Sequence, residues 1–281
     1  GTPLLTHSPT HPRTHDLNMR LTLGKNKFSV EDSLYELVTN AMDANEAKVS
    51  SVLPITFTCV RVSECGSGSS TIVVEDSGDG MAHDAFALGS SGPPRLHGFN
   101  GIGLKDAIVT LMREQATVTI SSSKGFYTFD CRQGGLGSDT VHVHIHKPKD
   151  TAKVGTTVTI SGLPSAAEVF EKARSRFLVF GKYECLGGTE NVEVYESSSP
   201  VSFVFVNGVK KTVPNKPFNN VYNFKNLSKK QKLCITRDHT INKGFTRKHP
   251  EFLDPMEHAL EYLHGTSAVK SETLAAVQPQ V

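Results

Sequence analysis

Apolar and polar positions along the 281-residue chain switch between two periods. From Ser29 to Glu46, apolar residues fall at Val30, Leu34, Leu37, Val38, Ala41 and Met42, the spacing of one helix face. Residues 51–62 and 71–75 read as strands and 82–88 as a short helix. Residues 89–103, rich in Gly and Pro, read as a loop. Helical spacing returns from Leu104 to Arg113, and strands follow at 116–121, 125–131, 140–146 and 156–160. Antiparallel-looking strands around two or three helices predict an α+β domain. Gly162 to Pro164 marks a boundary. Beyond it the pattern predicts a helix over Ala166–Val179, strands at 191–195 and 201–206, and a hairpin turn at Asn207-Gly208. A last helix over 250–264 is started by Pro. The expected organisation is a disordered tail at 1–15, a first domain at 16–165, a second at 166–264 and a flexible tail at 265–281. The first tail, GTPLLTHSPTHPRTH, repeats Thr-His at His7, His11 and His15 with Pro between them.

Composition narrows the class. Hydrophobic residues are 37% and charged residues 21%, enough for a sizeable core and unlike a disordered chain. Cys59, Cys65, Cys131, Cys185 and Cys234 are odd in number, widely spaced and without C-x-x-C. That excludes a disulfide framework as the expected reading and favours a reduced, intracellular setting, cytoplasmic or nuclear. No apolar run reaches the length of a membrane helix, so no membrane partner is expected.

Three segments carry candidate chemistry. In Glu36-Leu-Val-Thr-Asn40-Ala-Met-Asp43-Ala44, Glu36, Asn40 and Asp43 stand at i, i+4 and i+7 and share a helix face. A carboxylate and a carboxamide one turn apart can hold a hydrated metal and leave one carboxylate as a base. Taken singly, the segment also reads as a solvated stripe. In Asp76-Ser77-Gly78-Asp79-Gly80-Met81, a strand ends in acid and is followed by alternating glycines. The glycines let backbone approach a flat ligand, and Asp76 can accept from an exocyclic amine. A calcium loop fails here because its third position is Gly78. In Gly98-Phe-Asn-Gly101-Ile-Gly103-Leu104-Lys105, glycines precede a helix start, where backbone N–H groups and a lysine suit phosphate. The glycine order is not the Rossmann one, and no Walker loop occurs. His142, His144 and His146 share a strand face, which reads as a solvent-facing edge more readily than as a zinc site.

In order and spacing, these segments resemble the nucleotide-binding domain of the gyrase, heat-shock chaperone, histidine kinase and MutL (GHKL) superfamily, the Bergerat fold. ELVTNAMDA is similar to its first box, DSGDGM to its second, GFNGIGLK to its third and Gly155-Thr156-Thr157-Val158 to its fourth. The resemblance covers about residues 16–163. It implies a two-layer α/β sandwich holding ATP under a mobile lid. Residue by residue, it implies Glu36 as general base and Asn40 as the Mg2+ ligand. Asp76 is implied as the adenine-reading carboxylate, with Gly78, Gly80 and Met81 lining the base. Gly101 and Gly103 are implied as lid glycines by the phosphates, with Leu104 and Lys105 beside them, Thr156 as support of the adenine site, and Asp43 near the sugar. The chemistry implied is magnesium-assisted ATP hydrolysis coupled to lid closure and dimerisation.

The ATPase branches fit better than the histidine kinases, since the upstream histidines lie in a Pro-containing tail. Ser90-Ser91 before the third box brings the lid closest to the MORC-like and rIIA-like ATPases. Phe203-Val-Phe-Val-Asn207-Gly208 resembles a strand end of the transducer domain that follows the ATP domain in gyrase and MutL. Such a domain reaches ATP with a basic residue, for which Lys229, Lys230, Lys232 and Arg237 are candidates. A module that binds ATP without hydrolysing it is the alternative. Net charge, +2 overall, is uneven: residues 1–165 carry 14 basic and 16 acidic side chains, whereas 203–249 carry 11 basic against Asp238 alone. That segment is the candidate surface for nucleic acid or an acidic protein.

Overall fold

A computed structural model describes residues 13–20, 28–46, 55–62, 69–86, 103–133, 139–236 and 239–265. Residues 1–12, 266–281, the segment 87–102, on which the expected lid and Gly101 fall, and Arg237 lie outside the described residues. The chain mixes helices and sheets in an α+β arrangement and divides into two compact units, 1–173 and 174–281. The division falls after Ala173 rather than after Ser165. Most of helix α3 (Ala166–Arg174) therefore belongs to the first unit, where Phe170 meets the Phe57 ring at 4.6 Å.

The first unit is built on a seven-stranded sheet. Its strands are β1 (Arg13–Arg20), β2 (Thr56–Val62), β3 (Ser69–Glu75), β4 (Thr117–Ser122), β5 (Gly125–Gln133), β6 (Asp139–His146) and β7 (Thr156–Ser161). They run in the order β1-β6-β5-β4-β7-β3-β2, each neighbouring pair antiparallel. Register places Val74 opposite Val158, Val158 opposite Ile120, and Ile120 opposite Tyr127, all buried. One face is thus a continuous apolar floor. Helices α1 (Val30–Glu46) and α2 (Gly103–Arg113) pack on each other and on β3 and β4.

Local chemistry sets the helix ends. Asp32 N–H donates to Ser29 Oγ at 3.0 Å, and the Ser29 N–H and O–H donate back to Asp32 Oδ2. This is a reciprocal N-terminal cap, with Asp in place of the usual Glu or Gln. Leu34, Leu37, Val38 and Ala41 bury the apolar stripe of α1. Strand β1 corrects one expectation: Arg13 to His15, read as part of a disordered tail, begin a strand whose backbone pairs with β6. The open ladder edge of β6 supplies the partner groups, and this long-range pairing overrides a local sequence that signals no strand.

The second unit holds a mixed five-stranded sheet ordered β11-β10-β12-β9-β8. Its strands are β8 (Cys185–Gly188), β9 (Val192–Tyr195), β10 (Phe203–Val206), β11 (Val209–Thr212) and β12 (Val221–Phe224). Strands β10 and β12 run parallel, and the other neighbours antiparallel. Asn207 and Gly208, both at positive φ, close the expected hairpin between β10 and β11. Two helices follow, the five-residue α4 (Lys229–Leu233) and α5 (Leu253–Gly265). The core is aromatic: Phe224 meets Phe252 at 4.9 Å, and Phe245 stacks on Phe252 at 5.3 Å. The segment Ala166–Val179, expected as one helix, breaks at Arg174 and ends in a 3-10 turn over Leu178–Phe180.

Candidate active site

Alternation along β3 turns Glu75 outward and Asp76, just past the strand end, inward. Outside, Glu75 takes the Thr157 hydroxyl at 3.0 Å and pairs with Lys153 at 3.3 Å. Inside, Asp76 is only 7% exposed. Its Oδ1 accepts the Gly78 N–H at 2.9 Å and the Thr156 N–H at 3.1 Å, and the Thr156 side chain also bonds to it. The Asp76 N–H donates to the Thr156 carbonyl at 3.0 Å, so second-box Asp76 and fourth-box Thr156 are doubly joined. Burial holds the Asp76 carboxyl above its ordinary pKa despite these donors.

The glycines have definite neighbours. Gly155, at φ +77°, presses on the Asp76 carbonyl so closely that any Cβ would collide with backbone. A Cβ on Gly78 would lie 2.9 Å from the Ala44 carbonyl oxygen, so the second box runs tight against the end of α1. Ser77 N–H donates there to Asn45 Oδ1 at 2.7 Å. The Met81 carbonyl accepts from Ser122 Oγ at 2.8 Å and from the Tyr127 hydroxyl at 3.0 Å. Gly80, at φ +78°, turns the chain between these anchors. Asp76, Gly78, Gly80, Met81 and Thr156 thus form one polar cradle.

A second group lies further back along α1. Gly103, the first residue of α2, abuts the Glu36 carboxylate so closely that a Cβ would overlap it. Asn40 and Asp43 lie on the Glu36 face of the helix, with Asn40 Nδ2 and Asp43 Oδ2 shut off from solvent. Leu104 and Lys105 continue into α2. Lys105 is 1% exposed, and burial lowers its pKa. The sequence suggests a lysine aimed at phosphate; in the structure its side chain is almost wholly removed from solvent. Asp106 beside it is raised by burial, against the pull of Arg113 and Lys105.

Three contributors escaped the sequence reading: Asn45, Ser122 and Tyr127. Asn45, 2% exposed, did carry a signal, because it extends the buried stripe Leu34, Val38, Ala41 with a polar residue. Ser122 and Tyr127 are brought to Met81 by sheet pairing across more than forty residues of chain, which no local pattern encodes.

The donor set on α1, a carboxamide between two carboxylates, offers oxygens of the kind magnesium takes alongside phosphates and water. Among the described residues, no group of three or more His, Cys, Asp and Glu is placed to hold a metal by itself. In the histidine row of β6, His144 Nε2 lies 3.1 Å from Asp130 and His146 Nε2 lies 3.0 Å from the Thr128 hydroxyl. Among the described residues, no helix is long and apolar enough to cross a membrane.

No protein-family model matches the chain. The chain is similar to an uncharacterized protein of Mycoplasma pneumoniae (strain ATCC 29342 / M129 / Subtype 1), with 29% identity over 234 residues. The alignment covers 79% of this chain and 88% of that protein.

Proposed function

We propose that the first unit is a Bergerat-type ATP-binding domain that hydrolyses ATP with magnesium. The observation that carries this reading is the double link between Asp76 and Thr156, which joins two segments eighty residues apart into one buried acceptor. Asp76 and Thr156 read the adenine amine, and Gly78, Gly80 and Met81 line the base. Asn45 and Glu36 are nine residues apart on α1, roughly 13 Å along its axis, about the reach of an extended nucleotide. The triphosphate therefore lies toward Glu36 and Gly103. Glu36 accepts the proton of the attacking water. Asn40 is the residue that holds magnesium, which supplies charge neutralisation when bound with the phosphates. Asp43 lies toward the sugar, and nucleotide-dependent lid closure and dimerisation follow as the output.

The test is Glu36→Gln. Turnover falls by about a hundredfold or more, while calorimetry with a non-hydrolysable analogue gives unchanged affinity. Binding without turnover in the wild type would instead make the chain a nucleotide-binding module. No binding at all would remove the reading.

A second reading concerns the second unit. Lys229, Lys230, Lys232, Lys243, Arg247 and Lys248 are exposed, and none pairs with an acid among the described residues. The Ile235–Ile241 bridge and the Gln231-to-Glu251 bond at 2.8 Å bring their segments together. This surface suits a nucleic-acid backbone. If all six cations engage phosphates, log affinity falls with log salt at a slope of roughly −5. A flat salt dependence, or no gel shift at low salt, removes this second reading.

A further inference from the structure

Within the basic surface of the second unit, one loop is clamped at its root and cationic at its tip. At the root, the Gly244 carbonyl accepts the Phe252 N–H at 2.8 Å and the Leu253 N–H at 2.9 Å, so the chain leaves and returns at one point. Gly244 stands at φ +100°, and a Cβ there would run into the Phe252 ring. Phe245, which follows it, is buried; it stacks on Phe252 and meets Phe218 at 5.3 Å. The Lys216 ammonium donates to the Phe245 carbonyl. Beyond this root the chain folds back on itself. Thr246 and His249 form an antiparallel bridge, in which the His249 N–H donates to the Thr246 carbonyl at 2.9 Å. Arg247 and Lys248 are the two residues of the turn, and all four residues from Thr246 to His249 are exposed. None of the four takes a positive φ, so the turn needs no glycine and tolerates substitution at its tip.

Arg247 and Lys248 pair with no acid among the described residues, so the turn holds two adjacent like charges uncompensated. A polyanion complements them, and the clamped root means that little ordering is lost on binding. The Gln231-to-Glu251 bond sets α4, with Lys229 and Lys230, beside the loop. Shape then selects among polyanions. A single strand is held by stacking on exposed rings. Within 203–249, Phe205, Phe218, Tyr222, Phe224 and Phe245 are buried, and half-buried Phe203 has Lys210 over its ring at 4.1 Å. A two-residue turn between paired strands is the tip of a two-stranded ribbon. The B-form major groove, about 12 Å wide, admits such a ribbon, whereas the deep, narrow A-form groove of duplex RNA does not. We infer that Arg247 and Lys248 form a finger that enters the major groove of duplex DNA, with the lysines of α4 on flanking phosphates. This rests on the nucleic-acid reading of the second unit and names the form of nucleic acid that the surface takes.

The experiment is fluorescence anisotropy of the full chain at low salt with four probes: a DNA duplex, an RNA duplex of the same sequence, one of the DNA strands alone, and polyglutamate. The DNA duplex is expected to bind tightest, by about tenfold over each of the others. Arg247→Ala lowers affinity for the DNA duplex about tenfold and leaves the weaker single-strand binding within about threefold. Lys230→Ala instead weakens duplex and single strand alike, and reduces the salt slope by about one. Should circular dichroism show Arg247→Ala unfolded, Lys248→Ala is read by the same criterion. Equal affinity for duplex and single strand, an RNA duplex bound as tightly as the DNA duplex, or equal losses on duplex and single strand in the folded variant would each overturn the finger while the nucleic-acid reading stands. Binding to polyglutamate alone, or to none of the probes, would overturn both.

Discussion

The two units treat a partly sequestered carboxylate in opposite ways. Asp76 in the first unit is raised above its ordinary pKa, burial outweighing the bonds from Gly78 and Thr156. Glu193 in the second is also desolvated, yet bonds from Lys225, Asn223 and Tyr195 outweigh burial and hold it below its ordinary value. Asn223 donates at 2.8 Å and the Tyr195 hydroxyl at 2.9 Å. Glu193 is satisfied by its own fold, so its role is architectural. Asp76 accepts as many bonds, so its opposite shift reflects its deeper burial. Both units bury polar residues, Asn45, Lys105, Ser122 and Thr156 in the first and Lys211, Asn220 and Asn223 in the second, while the second also packs phenylalanines around Phe252.

The sharpest break of this comparison is an exchange of truncations. Asp76→Ala lowers nucleotide affinity by about a hundredfold, since a buried charged acceptor and the order of Gly78 and Thr156 are lost together. Glu193→Ala leaves affinity unchanged and costs about 1–3 kcal/mol of stability, because Asn223, Tyr195 and Lys225 lose their acceptor. Calorimetry and urea melts of both variants check this. Equal loss of nucleotide affinity in the two would refute the distinction. Next in size is Gly103→Ala. The added methyl meets the far end of a flexible side chain, Glu36, so the fold yields easily while the carboxylate moves. Turnover falls by about tenfold or more through misplacement of the base, with the melting temperature nearly constant. A fall in stability without a fall in turnover would show that Gly103 matters for packing alone.

Acidity separates the same two residues without truncation. Asp76 is raised from 3.8, so its contribution to stability is full below that pH and is lost as pH rises through its folded value. Glu193 is lowered from 4.5, so its contribution is present above that pH and is lost as pH falls through its folded value. Relative to wild type, Asp76→Asn therefore gains stability as pH rises above about 4. Glu193→Gln recovers its deficit as pH falls below about 4.5. Hydrogen exchange at the Thr156 and Asn223 amides follows the two units separately. Difference curves of the same sign would contradict the assignment.

What was legible in the sequence follows from how far each feature reaches along the chain. Glu36, Asn40 and Asp43 lie on one helix, and Asp76, Gly78 and Gly80 on one turn, so their spacing alone placed them. The N-G turn at Asn207 was equally local. Strand β12 was missed because Val221–Phe224 is buried on both faces and shows no alternation. Helix α4 was missed because KKQKL has no apolar period, although Ser228-x-x-Gln231 carried the capping signal. The burial of Lys105 was invisible because it depends on tertiary neighbours, not on the local sequence.

The smallest prediction concerns a helix end the sequence placed well for an incomplete reason. Helical spacing stops at Arg113 with no glycine to close it. The structure closes α2 with a Schellman motif: Ala116 N–H donates to the Leu111 carbonyl at 3.0 Å, and Gln115 N–H to the Met112 carbonyl at 3.0 Å. The residue that must turn left-handed is Gln115, at φ +64°. A side chain in that conformation costs roughly 1 kcal/mol relative to glycine, offset in part by the greater freedom glycine has in the unfolded chain. Gln115 is exposed, so its side chain contributes little packing to set against the strain. Gln115→Gly therefore raises stability by about 0.5–1 kcal/mol, read as a higher urea midpoint at unchanged slope. Nucleotide affinity stays the same, because Gly103 and Lys105 stand at the opposite end of α2. A lower midpoint would mean that Gln115 makes a contact worth more than its backbone strain. A changed affinity would mean that the two ends of α2 are coupled, so that relieving strain behind the helix alters the cradle in front of it.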